Sequence, residues 1–249
     1  MQNRTHFYIY DEFLADRKYH RIVSELEGRI STLGLQGPIV RLSPLRDVKE
    51  TLQGFIRDRI STVVIVGDDS TVDRVMPFLP DIHSPVGYLP LRSPCAIAER
   101  FGIRTGLSAC DILAARYLEA VDVGIINNQY FLYQISLEKS VASLFISEKY
   151  RLYSETGADF VISNTDGSLH DGQLTIRMRP CHTVSTAWSF RKRVTPETVL
   201  RASTVRIESE TIMSVTVDLH QIEGKIFQLG IKPRGMHWII GRQGIAKFH

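Results

Sequence analysis

The chain has 249 residues, 43% of them apolar, and a formal charge of +3. That much apolar surface excludes wholesale disorder, and so small an excess of bases does not by itself argue for a nucleic-acid partner. Three distant cysteines, Cys95, Cys110 and Cys181, an N-terminus without a leader-like apolar core and no apolar run of the roughly 20 residues that span a bilayer lead us to expect a cytoplasmic protein without a disulfide framework.

The first half alternates short apolar runs with amphipathic stretches. "HFYIY" is a strand. Tyr19, Ile22, Val23, Leu26, Ile30 and Leu33 recur at helical spacing, and Gly34 suits a left-handed cap. "IVRL" is a second strand, and Leu45, Val48, Leu52, Phe55 and Ile56 mark a second helix. "TVVIV" is a third strand, followed by a helix from about Thr71. "VGYL" is a fourth, followed by a short helix in "PCAIAERF". "SACDILAARYL" closes the half as a helix with Ser108 at its N-cap. Strand and helix in alternation with short connections predict a parallel sheet covered on both faces.

The period changes near Ala120. "VDVGIINNQYFLYQI" reads as a hairpin with an Asn-rich turn. "SVASLFI", "DFVISN", "QLTIRMR", "STVRIES", "SVTVDL", "KIFQLGIK" and "MHWIIG" follow as strands, with "TDGS", "HDG", "IEG" and "KPRG" as turns between them. We therefore expect an α/β plus all-β chain: a doubly wound parallel α/β domain over residues 1–119 and an antiparallel β-sandwich domain over residues 120–249.

The stretch "VVIVGDDSTV" places Gly67, Asp68, Asp69, Ser70 and Thr71 where a buried strand runs into a helix. Strand-end amides and the positive helix end at such a place favour an anion. Thr71 has a hydroxyl to offer a phosphate, and Asp69 a carboxylate for Mg²⁺. The plainer alternative is a βα turn in which Asp or Ser caps the helix.

The register of this loop, followed by "VGYLPLRSPCAIAERFGI", resembles the catalytic domain of the diacylglycerol kinase family, which includes bacterial lipid kinases and sphingosine kinases, with NAD kinases as distant relatives. Its loop reads Gly-Gly-Asp-Gly-Thr; here Gly67, Asp69 and Thr71 match, and Asp68 and Ser70 replace glycines. Its second motif reads Pro-Leu-Gly-Thr-Gly-Asn-Asp; Pro90 and Leu91 match, Arg92 and Ser93 take the next two places, and Pro94, Cys95 and Ala96 replace Gly-Asn-Asp. Asp122, Gly124 and Phe131 fill the family's places at the start of the β half, and Asp11 lies near its Asn-Pro turn. Of the family's Asp-Gly-Glu turn, the proposed source of the general base, only Asp218 remains.

The resemblance implies ATP and Mg²⁺ as cofactors and a lipid hydroxyl as acceptor. Gly67, Asp68, Asp69, Ser70, Thr71, Arg92 and Ser93 would bind the nucleotide, Asp69 its metal, and Asp218 would take the proton of the attacking hydroxyl. Phosphoryl transfer depends above all on positioned phosphates and charge neutralisation. Asp68 works against this: two unit charges about 4 Å apart repel by roughly 1 kcal/mol in water and about 4 kcal/mol at an effective dielectric near 20. Arg92 and Arg74 could offset that charge, or could hold Asp68 or Asp69 in an ion pair. The alternative is thus an inactive descendant of the fold that binds a nucleotide, another ligand or a protein.

Between Gln173 and Arg206 stand seven bases, Arg177, Arg179, Arg191, Lys192, Arg193, Arg201 and Arg206, against the single acid Glu197. They are either a solvated face or a patch for peripheral contact with anionic lipid at the inner face of the membrane. No nucleic-acid module is visible, so no nucleic-acid partner is expected. Cys181-His182 has no partner at zinc-site spacing.

Overall fold

The computed structural model of the chain describes residues 6–43, 48, 61–164, 170–181 and 197–242. The helix expected from Leu45 to Ile56 lies outside them apart from Val48, as do the "TDGS" turn and the bases Arg191, Lys192 and Arg193. Two compact units emerge: Met1–Val121 together with Arg234–His249, and Asp122–Pro233. The sequence led us to expect a division at 119/120, with a second domain over 120–249. The second unit does not, however, run to the C-terminus, for a reason found in the last strand.

In the first unit, β1 (His6–Tyr10), β2 (Ile39–Arg41), β3 (Thr62–Gly67) and β4 (Val86–Pro90) lie parallel in the order β2-β1-β3-β4. Every residue of β1, β3 and β4 is buried. This is why they read as unbroken apolar runs instead of alternating ones, as strands covered on both faces must. The helices are α1 (His20–Thr32), α2 (Asp69–Val75), α3 (Ala96–Arg100) and α4 (Ser108–Ala115). α1 packs with α4, and α2 with α3.

α1 buries Val23, Leu26 and Ile30, the stripe its sequence spacing predicts. It ends where Gly34 takes φ +67°, letting Leu35 N–H reach the Ile30 carbonyl at 3.0 Å. Ser108 is the first residue of α4 and not its cap; Leu107 holds the cap position without a side-chain bond. α2 begins two residues earlier than expected, at Asp69.

The second unit is antiparallel. Its strands are β5 (Leu118–Ile126, which starts in the first unit), β6 (Gln129–Phe131), β7 (Gln134–Ser140), β8 (Ser143–Ile146), β9 (Tyr150–Tyr153), β10 (Ala158–Ser163), β11 (Leu174–Pro180), β12 (Thr198–Ala202), β13 (Val205–Val217) and β14 (His220–Ile239). They follow the order β12-β11-β10-β7-β13-β14, with the β8–β9 hairpin joined to β13. Phe160, Ile162, Ile176, Ile207 and Val215 are among the residues of its core. The expected Asn-rich hairpin is β5–β6, with Asn127 at φ +52°.

Two pairs of expected strands are in fact single strands. "STVRIES" and "SVTVDL" form β13, which bulges: Glu208 pairs with Ile226 and Met213 with Gly224. "KIFQLGIK" and "MHWIIG" both belong to β14. "IEG" and "KPRG" lie inside it, Arg234 alone taking a left-handed φ of +49° before the strand resumes. The turn is at Asp218-Leu219 instead. Having continued past Pro233, β14 sets Trp238 parallel to Val86 of β4 and stacks it on Phe101 at 4.7 Å, which is why the C-terminal residues count with the first unit.

Candidate functional site

The loop after β3 is closed by its own side chains. Asp68 is the N-cap of α2, with an ordinary extended φ of −132°. Its Oδ1 accepts hydrogen bonds from Ser70 N–H at 3.1 Å, Thr71 N–H at 3.3 Å and Ser70 Oγ–H at 2.6 Å. Thr71 Oγ1 in turn accepts from Asp68 N–H at 3.0 Å, which completes a reciprocal capping box. Thr71 is fully buried and donates to Asp11 Oδ2 at 2.8 Å. Gly67 is required by this arrangement: a Cβ there would sit 2.1 Å from Thr71 Oγ1.

The second motif, after β4, folds back onto the first. Arg92 Nη1 donates to Asp68 Oδ2 at 3.0 Å and its Nε to Tyr19 Oη at 2.8 Å. Its guanidinium lies 3.9 Å from the centre of the Phe13 ring, a cation–π distance. Asp69 is equally engaged: Oδ1 accepts from Tyr88 Oη–H at 3.1 Å, and Oδ2 from Ile97 N–H at 3.2 Å in the first turn of α3. Cys95 Sγ donates to the Arg92 carbonyl at 2.9 Å. Arg74 pairs with Glu12 at 3.3 Å and lies 3.7 Å from Asp11, away from Asp68. Ser93 is exposed in the turn.

Burial works against the charge on Asp68. Hydrogen bonds from Ser70, Arg92 and Thr71 outweigh it and hold the carboxyl below its usual range. Tyr88 moves the other way, burial first and then Cys95 and Asp69 pushing its hydroxyl far above the usual value, so it stays a neutral donor. Asp68 thus engages the Ser70 and Thr71 amides of α2 and one donor of the Arg92 guanidinium. Asp69 spends one oxygen on Tyr88 and the other on Ile97. Those two bonds take two of the roughly four lone-pair directions of the Asp69 carboxylate. Among the described residues there is no cluster of three His, Cys, Asp or Glu arranged to hold a metal.

Asp218, in the second unit, occupies the β13–β14 turn at φ +49°. Its Oδ2 accepts from Leu132 N–H, and its Oδ1 from Tyr133 N–H and Gln134 N–H, each at 2.8 Å. Its own N–H donates to the Gln134 carbonyl at 2.8 Å. Three of the roughly four lone-pair directions of a carboxylate are therefore committed to backbone. Asp122, fully buried, accepts from Gly172 N–H at 2.6 Å.

Of the seven bases, the four in described residues are all paired: Arg177 and Arg179 with Glu197, Arg201 with Asp171, and Arg206 with Glu148 and Glu208. No helix among the described residues is long and apolar enough to cross a membrane. Sequence reasoning missed Tyr88, Tyr19 and Phe13 as parts of the closed loop. A tyrosine inside an otherwise aliphatic buried strand was the available signal for Tyr88, since a buried phenol needs a partner.

No family model matches the chain, and no curated protein does. Solved structures do. A diacylglycerol kinase from Bacillus anthracis str. Sterne superposes with a TM-score of 0.78 at 13% identity, over 98% of this chain and 99% of that one. A second structure from that organism, ascribed the same activity, gives 0.80 at 12% identity over 96% and 98%. A third gives 0.79 at 12% identity over 98% and 99%. The chain has the fold of these proteins from end to end, as the order and spacing of its motifs implied.

Proposed function

We propose that this chain, which carries the diacylglycerol kinase fold over its whole length, is a catalytically silent form of that fold and acts as a binding module. The observation that carries this is the Asp68 carboxylate. It caps α2 and holds Arg92, so a side chain of the protein fills the place where a phosphate would be bound. A polyphosphate entering there must displace a carboxylate from a guanidinium that is also stacked on Phe13 and bonded to Tyr19. Asp218 supports the same reading, because three of the roughly four lone-pair directions of its carboxylate already serve backbone amides, leaving one at most for a substrate hydroxyl.

The competing reading is an ATP- and Mg²⁺-dependent lipid kinase. It draws on the full-length likeness in fold and on Gly67, Asp69 and Thr71 standing in register. In that reading Asp69 and Thr71 serve nucleotide and metal, Asp218 takes the hydroxyl proton, and the Arg92–Asp68 pair must open. Calorimetry with ATP, with and without Mg²⁺, followed by phosphate transfer to a panel of lipids, separates the two. The expected result is no saturable ATP binding at millimolar nucleotide and no transfer. Mg²⁺-dependent binding lost in Asp69→Ala, with turnover lost in Asp218→Ala, would overturn the proposal.

A further inference from the structure

The hairpin of β8 and β9 leaves a margin of the second unit open. β9 (Tyr150–Tyr153) pairs antiparallel with β8 along one side, and no described strand pairs with the other. Tyr150 is 70% exposed and Tyr153 53%, and Arg151 between them is exposed too. Leu152 packs against the core of the unit yet is only partly buried. Arg151 is held in place, its Nη2 donating to Ser143 Oγ at 2.8 Å and its guanidinium lying 5.0 Å from the centre of the Tyr153 ring.

A strand edge of this kind presents unpaired N–H and C=O groups, and proteins commonly blunt it with proline or a bulge. β9 has no proline and keeps an unbroken register with β8. Its tyrosines favour an extended chain, and aromatic side chains are enriched at interfaces. The other margins differ: β2 and β6 have three residues each, and Arg201 of β12 is tied to Asp171.

The sequence of this edge is complementary to itself. Two strands related by a two-fold axis perpendicular to a shared sheet run antiparallel, and residues opposite each other lie on the same face. Two registers set three residues of β9 against β9 of a second copy. Centred on Arg151, guanidinium stands against guanidinium, and like charges directly opposite are destabilising. Centred on Leu152, that residue meets its own copy and extends the core across the axis. Arg151 then stands opposite Tyr153 of the partner subunit, a cation beside an aromatic ring. Lys149, exposed, stands opposite Glu155 of the partner subunit, an acid beside a base. Symmetry makes each of the last two pairs twice. We propose that the chain forms a two-fold dimer in which β9 of each copy pairs antiparallel with β9 of the other about Leu152. This stands whether or not the Asp68 loop binds ATP. Two short strands bury less than a standard interface, so the dimer is concentration-dependent, half-formed in the micromolar range.

The test is sedimentation of the full chain over a range of concentrations, with amide hydrogen exchange of the β9 peptide measured at both ends of that range. The expected result is a monomer–dimer equilibrium, with β9 amides slowed only where the dimer is populated. Lys149→Glu and Glu155→Lys each set like charges opposite one another and should weaken the dimer fivefold or more; the double variant restores opposite charges and should recover it. Both positions are exposed, so all three variants should fold, which circular dichroism checks. A chain still monomeric at hundreds of micromolar, which would leave the edge to a strand of another protein, would overturn the proposal. So would β9 exchange that ignores concentration, a dimer unmoved by Lys149→Glu, or two weakened single variants with no recovery in the double one.

Discussion

Replacing Thr71 by valine keeps the shape of a fully buried side chain and removes only its hydroxyl. That hydroxyl donates to the buried Asp11 carboxylate at 2.8 Å and accepts from Asp68 N–H at 3.0 Å. A bond to a charged group is worth about 1.5–3 kcal/mol and a neutral one about 0.5–1.5 kcal/mol, so the change should cost roughly 2–4 kcal/mol. Asp11 keeps the Phe13 N–H and has Arg74 at 3.7 Å, which argues against a larger loss. At about 2–4 °C per kcal/mol the thermal midpoint should fall by roughly 4–16 °C. All described helices lie in the first unit, so the helical far-UV signal reports on it selectively. Thr71→Ser is the control: it keeps both bonds and should lose only about 1 kcal/mol for its methyl. A valine variant that loses less than about 1 kcal/mol, or a serine variant that loses as much as valine, would refute the assignment of Thr71 as the brace of the loop.

Three further outcomes follow from the geometry. Asp218→Ala strands three backbone N–H groups and should destabilise the protein by about 2–5 kcal/mol in thermal unfolding; a loss below about 1 kcal/mol would mean the carboxylate is not holding the turn. Because the folded-state pKa of Asp68 is lowered, its contribution is full above the ordinary carboxylate value near about pH 4 and is lost as pH falls through the lowered one. Asp68→Asn should flatten that part of the acid-unfolding curve, and an unchanged slope would count against the pairing with Arg92. Cys110 is buried with its thiol pushed up to about 11, Cys95 is buried and also raised, and Cys181 is exposed. Iodoacetamide should therefore modify Cys181 in the native protein and reach the other two only on unfolding, as read by peptide mass mapping.

Much of the first unit was legible because its strands are buried on both faces, leaving β1, β3 and β4 as apolar runs bounded by turn residues. The second unit was less so. β9 and β12 are mostly exposed, "YRLY" and "TVLRA" showing no clean alternation, and they exist because β8 and β11 offer them an edge. "IEG" and "KPRG" carry turn chemistry that the long β13–β14 ladder overrides, whereas Asp218-Leu219 turns because backbone amides 84 to 86 positions earlier seize the Asp218 carboxylate. No local pattern encodes a contact of that range. At the loop, the register identified the positions and left two roles open for Arg92. Only the three-dimensional arrangement, with Phe13 and Tyr19 brought beside it, shows the arginine paired with Asp68.

The route of β14 sets an order of events in synthesis. A ribosome releases β1 to β4 long before Trp238 exists, so the strand that flanks β4 arrives only after the second unit has been made. Until then the nascent first unit carries an open, apolar sheet margin, the kind of surface that recruits other chains. Truncation after Pro233 would make that transient condition permanent, and a shortened chain should be recovered from cells chiefly as aggregate even though nearly all of its α/β sequence is intact.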